Sequence, residues 1–278
     1  MKPDKHTNEY KSLRDEIKRL RKSLSELTPP LEILLKRRGF KIYKKEPSDD
    51  LLLPGSEYIA SYYEMMKKYS FRLFLREVIK HQTFFRLENV TRYATSEVTA
   101  AYVEYAKSIG IIGDVPGGFR LVPGPIKSFG ETLEWFTAEI FKQELATEAV
   151  WGIRSKRPGV GGDYDLIAKV EGSILYMEIK SSPPKQIYQK EISTFLDRVI
   201  DLHPEISIFF VDTELRMKDK IVLMFGEELK NRHTDPPEIM RMEKELFQIW
   251  DKIFIINAKD SISANIEKVL CRYFRRDK

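Results

Sequence analysis

The sequence is poor in the residues that form disulfides or bind soft metals. It contains one cysteine, Cys271, and four scattered histidines in 278 residues. This excludes a disulfide framework within the chain and a zinc finger. Any metal must therefore be bound by carboxylates, which favours magnesium or manganese over zinc. We expect Cys271 to be a buried small hydrophobic residue in the last helix.

The sequence also lacks an apolar run long enough to span a bilayer. Residues 1–24 are charged throughout, unlike a signal peptide, so we expect a cytoplasmic protein with no membrane partner. Hydrophobic residues nevertheless make up 42% of the chain, which is enough for sizeable cores. At this length, two domains, or one domain with additional segments, are the default expectation.

Positive charge is concentrated near the N-terminus. Residues 1–45 contain fourteen Lys or Arg and six Asp or Glu, a net charge of +8, so the other residues carry −3 of the overall +5. Such an excess suits attraction to a phosphate backbone, although solvated helix faces carry similar charge.

Apolar residues follow a heptad spacing in the same region, at Tyr10, Leu13, Ile17, Leu20, Leu24 and Leu27. The spacing predicts a helix that forms a homodimer with a second copy or packs on the protein's own body, and both alternatives stay open. Prolines 29 and 30 end this helix. A short basic helix over 31–38 and a linker over 46–50 follow, so we assign residues 1–52 to a basic helical arm and linker.

Residues 53–127 show a different pattern, with helices expected at 57–68, 71–81, 87–93 and 96–110, the last capped by Ser96. Two short strands follow at 111–112 and 119–122. This order resembles a winged helix-turn-helix domain, in which the second helix of the turn enters the DNA major groove. The resemblance implies DNA contacts from Arg92, Thr95, Ser96, Thr99, Ala100, Lys107 and Arg120. Winged helices also dock proteins, and this helix carries few basic residues, so that alternative stays open.

The most informative stretch is 161–180, GGDYDLIAKVEGSILYMEIK, which predicts a β-hairpin turned at Glu171-Gly172. In that register Asp165 lies opposite Glu178 and Asp163 lies opposite Lys180. All four side chains then share one side of the sheet. Directly opposed acids repel each other, so a divalent cation with oxygen ligands fits between Asp165 and Glu178.

This arrangement resembles the PD-(D/E)xK nuclease superfamily, with its restriction-endonuclease-like fold. The resemblance implies metal-binding acids at Asp165 and Glu178 and a catalytic lysine at Lys180, with Tyr164 where the family usually has proline. It also implies an acid from the preceding helix, GETLEWFTAEIF at 130–141, where Glu134 is the first choice and Glu131 the second. Glu-x-Lys occurs four times, but only the copy at Glu178 follows an apolar strand and faces an aspartate.

We therefore expect residues 128–278 to form a nuclease domain, an α/β three-layer αβα core with a mixed central sheet. Its further elements are expected to be helices at 185–203 and 261–274 and strands at 206–211, 220–225 and 253–257. Asp163 and Gln189 are candidates to support the site. The cations before the glycine-rich segment 158–162 are either phosphate contacts or solvated loop charges; they are Arg154, Lys156 and Arg157.

The function that these patterns favour is a metal-dependent DNA endonuclease of the restriction or repair type. Mg²⁺ or Mn²⁺ would be held by Asp165, Glu178, the Ile179 carbonyl and Glu134. A catalytically silent nuclease-fold protein that binds DNA, and a protein-interaction module, are the alternatives. The core residues act on phosphate rather than on bases, so they predict neither the sequence nor the structure of the substrate.

Overall fold

The structure is a computed structural model that describes Glu16, Arg19, Leu20, Ser23 and residues 29–156 and 163–275. The heptad seam at 10–27, apart from Leu20, therefore lies outside the described residues, as do Arg157 and the segment 158–162. Leu20 is helical and 57% exposed. No helix in the described part of the chain is long and apolar enough to cross a membrane.

The first described segment forms helix α1, Leu31–Arg37, and strand β1, Lys41–Lys44. The short basic helix is thus confirmed. Strand β1 was not predicted, because its residues alternate charged and apolar side chains over only four positions. It lies at one edge of the main sheet and pairs antiparallel with a later strand.

The second segment is mostly helical. A 3₁₀ turn at Ser56–Tyr58 is followed by α2 (Ile59–Met66), α3 (Tyr69–Lys80), α4 (Leu87–Val90), α5 (Ser96–Ser108) and a hairpin of β2 (Ile112–Val115) and β3 (Gly118–Leu121). The cap of α5 is Thr95 rather than Ser96, because the Thr95 side chain accepts a hydrogen bond from the Val98 N–H. The predicted succession of helices and a hairpin is present, and its assignment as a winged helix stays a prediction.

The third segment contains most of the sheet. Its elements are α6 (Gly130–Gln143), β4 (Glu148–Lys156), β5 (Asp163–Val170), β6 (Ser173–Lys180), α7 (Gln189–Leu202), β7 (Ile206–Val211), α8 (Leu223–Arg232), β8 (Met240–Glu243), β9 (Leu246–Ile249), β10 (Ile253–Asn257) and α9 (Ile262–Phe274). The predicted strand at 220–225 is wrong, because this stretch is a helical turn that leads into α8. Ile221 and Phe225 are buried while Leu223 between them is 60% exposed, whereas a strand would place all three on one face.

Eight strands form one mixed sheet in the order β1-β4-β5-β6-β7-β10-β9-β8. The pairs β6–β7 and β7–β10 are parallel, and the other neighbours are antiparallel. Helices α6 and α9 pack on one face, where Leu133 and Ile266 are buried, and α1, α7 and α8 pack on the other, where Leu35 and Phe195 are buried. The three-layer αβα fold class is confirmed.

The helices of the second segment pack against the α6 side of the sheet. Tyr62 stacks on Trp135 with ring centroids 5.9 Å apart, and the buried Arg72 binds Asp212 with Nη2 to Oδ1 at 2.7 Å. Their apolar side chains form one continuous core with this layer. The boundary expected at 127/128 stays a prediction, but the segments on either side of it share their interior.

Cys271 is exposed, so the prediction of a buried cysteine is wrong. Helix α9 buries Ile262, Ile266 and Val269, which lie along one side of the helix, and Cys271 lies off that side.

Candidate functional site

The hairpin of β5 and β6 has the predicted register. Its pairs run from Val170 opposite Ser173 to Leu166 opposite Met177. Glu171 and Gly172 form the turn with φ of 49° and 84°, the left-handed values that a two-residue hairpin of this type requires. The sequence therefore placed the two strands correctly as far as Leu166 and Met177.

Beyond that point the two strands diverge, and the site lies at the fork. Strand β5 continues alongside β4, where Asp163 is opposite Arg154, while β6 continues alongside β7, where Lys180 is opposite Val211. The prediction that Asp163 faces Lys180 is wrong, because Asp163 Oδ2 instead accepts from Arg154 Nε at 2.8 Å. Asp163 is therefore bound to β4 through Arg154 and not to Lys180 on β6.

Asp165 bridges the fork through its side chain. Its Oδ2 accepts a hydrogen bond from the Ile179 N–H at 2.7 Å. The carboxylate is thus held beside the strand that carries Glu178 and Lys180. The prediction that Asp165 lies directly opposite Glu178 in the ladder is wrong, because the paired region ends at Leu166 and Met177. An N–H that would otherwise pair with a neighbouring strand is satisfied by an acid.

Glu178 is 2% exposed and is surrounded by hydrogen-bond donors. Lys180 Nζ lies 2.7 Å from its Oε1, Arg198 Nη1 lies 2.7 Å from its Oε2, and the Tyr176 hydroxyl donates to the same Oε2. Burial opposes ionisation, but Lys180 and Arg198 outweigh it, so the pKa of Glu178 lies below its usual range. Glu178 is an ionised, buried carboxylate.

Lys180 is held in its charged form. Burial by itself lowers the pKa of a lysine, yet the charges of Glu178 and Asp165 raise the pKa of Lys180 above its ordinary value. Lys180 therefore carries a full positive charge at neutral pH and donates hydrogen bonds; it is not a proton acceptor.

The pKa values of Asp165 and Glu134 are shifted upward, in the opposite direction to that of Glu178. Burial, followed by the charge of Glu178, raises the pKa of Asp165 to about 7. Burial, followed by repulsion from Asp165, Glu131 and Glu178, raises the pKa of Glu134 well above its usual range. More negative charge converges here than Lys180 and Arg198 neutralise.

Glu134 reaches the fork from α6 past a glycine. Gly152 in β4 has φ of +57°, and a Cβ built there would clash with the Pro47 ring and lie 3.6 Å from Glu134 Oε2. Glu131 instead accepts from the Asp50 N–H at 2.9 Å, which ties it to the chain before α2. Of the two glutamates proposed from sequence, Glu134 is the one next to the acids of the fork.

The site residues fit a hard divalent cation in their donor type. Within the described ranges, no group of three or more His, Cys, Asp or Glu is arranged to hold a metal ion as it stands. Asp165, Glu178 and Glu134 offer only carboxylate oxygens, which suit Mg²⁺ or Mn²⁺. A cation would relieve the repulsion that raises the pKa of Asp165 and Glu134. These two are the readiest ligands, because both Glu178 oxygens already accept hydrogen bonds.

The predicted DNA-contact residues of the helical segment differ in accessibility. Arg92, Ser96 and Arg120 are exposed, and so is the capping residue Thr95. Thr99 is 1% exposed and its hydroxyl donates to the Thr95 carbonyl at 2.9 Å, so its assignment to a groove-facing surface is wrong. Lys107 pairs with Asp114 at 3.0 Å and with Glu104, which offsets its charge.

Two other predictions concern residues near the fork. Gln189 does not point toward the acids, because its amide donates to the Met224 carbonyl and to Glu228 on α8, each at 3.0 Å. Its proposed support of the site is therefore wrong. Lys156 is exposed, with Nζ 5.8 Å from the centroid of the Tyr43 ring.

Sequence reasoning missed Arg198 and Tyr176, the other two donors to Glu178. A signal for Arg198 was present, because it lies with Phe195, Val199 and Leu202 on the buried side of α7. A lone arginine on an apolar helix face needs a buried partner. Tyr176 gave no such signal, since a tyrosine in an apolar strand is ordinary.

No family model matches the chain, and no curated protein matches it. Among solved structures, it is similar to Can2 from Sulfobacillus thermosulfidooxidans in complex with cyclic tetra-adenylate, with a TM-score of 0.50 and 14% identity. That match covers 85% of this chain and 58% of the Can2 chain, so the chain spans little more than half of Can2. Protein VC1899 from Vibrio cholerae matches with a TM-score of 0.39 and 12% identity, over 68% of this chain and 52% of its own. At such identity, the likeness to Can2 shows a shared fold.

Proposed function

We propose that this protein is a metal-dependent nuclease that hydrolyses phosphodiester bonds in DNA. One observation carries the proposal, namely the placement of Asp165 and Glu178 on either side of a strand fork with Lys180 bonded to Glu178 at 2.7 Å. Glu134 adds a third carboxylate from the helix before the sheet. Glu178 is buried, and Asp165 and Glu134 are partly buried. Acids whose charges repel one another in such surroundings are costly for the fold, so their convergence argues for a function.

Each side chain has a role that its environment supports. Mg²⁺ or Mn²⁺, when bound by Asp165, Glu134 and Glu178, supplies Lewis acidity and a more acidic bound water. Lys180 stays protonated and stabilises negative charge that develops on the phosphate in the transition state. Arg198 and Tyr176 hold Glu178 in one orientation from the opposite side. The raised pKa of Lys180 favours this electrostatic role over general-base catalysis.

The test uses a substrate panel and an isosteric pair of variants. The full chain is incubated with plasmid, linear, branched and single-stranded DNA and with RNA, with and without magnesium or manganese. Glu178→Gln should abolish cleavage, because the amide cannot balance Lys180 and Arg198. Glu171→Gln, the same change at the exposed turn of the same hairpin, should cleave like the wild type. Cleavage retained by Glu178→Gln contradicts the proposal.

A second candidate is a catalytically silent protein of the same fold that binds DNA. The observation that favours it is the saturation of Glu178, whose two oxygens are bonded to Lys180, Arg198 and Tyr176. Titration with Mn²⁺ separates the candidates. Binding that Asp165→Asn abolishes supports the nuclease. Absence of both binding and nicking supports the silent protein.

A further inference from the structure

A basic groove lies at the edge of the sheet, between α1 and β1. It has a volume of about 410 Å³ and is lined by Glu32, Ile33, Lys36 and residues 40–45. The lining contains four lysines and one glutamate. Lys45 pairs with Glu32 and Lys44 pairs with Asp49, which leaves Lys36 and Lys41 without an ion pair in the described part of the chain. We call this feature the basic groove. Its charge suits a polyanion.

The pairing of β1 with β4 places like charges opposite each other. Lys41 lies across from Lys156, and Lys44 lies across from Arg154. Asp49 and Asp163 offset the second pair, but no ion pair within the described ranges involves Lys41 or Lys156. Opposed like charges destabilise a sheet. Lysines on an edge strand prevent unwanted strand pairing, but that purpose needs no second lysine directly opposite.

An exposed aromatic ring lies among these cations. Tyr43 is on β1, its side chain is 60% exposed, and Lys156 Nζ is 5.8 Å from its ring centroid. Strand surfaces that combine aromatic rings with cations bind single-stranded nucleic acid, because unpaired bases stack on the rings while phosphates meet the cations. In a duplex the bases stack on each other, so no base is free to stack on such a ring.

The chain that follows β1 passes close to the fork. After β1, the Glu46 N–H donates to the Trp151 carbonyl at 2.9 Å, and Pro47 then lies against Gly152, beside Glu134. Arg154, at the groove end of β4, is two residues from Gly152, or about 7 Å along a strand. The chain that lines the basic groove therefore passes beside Glu134 within two residues of Lys45.

We propose that the basic groove, together with Lys156 beside it on β4, binds a single-stranded segment of the nucleic-acid substrate, with phosphates on Lys41 and Lys156 and a base on Tyr43. The proposal rests on the proposed nuclease function for the identity of the ligand as a substrate. Its test is a binding measurement that needs no cleavage.

The experiment measures fluorescence anisotropy of the full chain with a labelled single strand of about 16 nucleotides, and with the duplex of that length, in EDTA. Lys41→Gln/Lys156→Gln should weaken single-strand binding by about tenfold or more. It should also reduce the dependence of log K on log salt by about 1.4, for two lost phosphate contacts. Lys230→Gln/Lys252→Gln, two exposed lysines away from this edge of the sheet, is the matched control and should bind like the wild type.

The role of the ring is tested with two substitutions at one position. Tyr43→Ala should weaken single-strand binding by about fivefold or more and leave duplex binding unchanged, whereas Tyr43→Phe should retain the affinity. The proposal is overturned if the lysine pair and Tyr43→Ala bind like the wild type, if the control pair weakens binding equally, or if Tyr43→Ala weakens duplex binding to the same extent. If binding depends on the groove residues but no nucleic acid is cleaved, the basic-groove proposal stands and the nuclease proposal fails. If the wild type cleaves nucleic acid but the groove variants bind single strands normally, the nuclease proposal stands and the basic-groove proposal fails.

Discussion

Asp165, which is partly buried, and Asp212, which is fully buried, both lie near the ends of strands in the same sheet, but their surroundings differ. Asp212 follows β7 and is bonded by Arg72 and Arg76. Burial opposes its ionisation, yet the two arginines outweigh burial and lower the pKa of Asp212. At Asp165, burial and Glu178 raise the pKa to about 7. The two arginines balance the charge of Asp212, whereas the acids around Asp165 outnumber the cations beside them.

The largest effect is expected at Asp165, where a substitution should reduce cleavage without reducing stability. Asp165→Asn should reduce cleavage by more than about 100-fold, because even residues that only support metal ligands cost about 10- to 100-fold. Its melting temperature should equal or exceed that of the wild type, since a repulsive buried charge is removed. Initial rates and thermal denaturation of one preparation check both. A large loss of stability would make Asp165 a structural residue like Asp212.

The converse substitution should act on stability. Asp212→Asn should lower the free energy of unfolding by about 3–5 kcal/mol, because it leaves Arg72 and Arg76 buried without their counter-charge. Urea denaturation measures the change, with the exposed Asp235→Asn as the matched control. A loss no larger than that of the control would remove the distinction between the two aspartates.

The pH dependence should distinguish the two clusters as well. Asp165 holds its proton in the folded protein up to about pH 7 but loses it near pH 4 when unfolded. Its contribution therefore stabilises the metal-free fold below about pH 4 and is lost as the pH rises to about 7. Mn²⁺ affinity should rise with pH through that window, because Asp165 and Glu134 must both lose their protons before they bind a cation. Calorimetric titration checks this, and Asp165→Asn should weaken the dependence; an equal slope in both proteins would contradict the assignment.

The smallest effect concerns Arg76, the more exposed arginine beside Asp212. Arg76→Gln should cost about 1.5 kcal/mol of unfolding free energy, because Arg72 keeps its own bonds to the aspartate. Arg72→Gln should cost more. Urea denaturation of the two variants gives the order. Equal losses would show that the arginines act as one unit.

The sequence predicted the parts of the site that depend on local pattern. The hairpin register followed from β-branched runs around Glu171-Gly172, and the helix α6 followed from the spacing of its apolar residues. The choice of Glu134 on that helix came from the family resemblance. The fork was not predictable, because it depends on β4 and β7, which draw the two strands apart. The apolar run at 221–225 fitted a strand as well as a helix, and only its packing against the sheet decides between them.

One backbone bond connects the two aspartate clusters. The Asp212 N–H donates to the Lys180 carbonyl at 2.9 Å, and the Asp212 side chain is held by an arginine from α3. A fragment that starts at the predicted boundary near residue 128 would retain every strand of the main sheet except β1, but it would expose an orphaned carboxylate next to the lysine of the site. Shortened versions of this protein should therefore keep residues from α3 onward if they are to remain folded around that lysine.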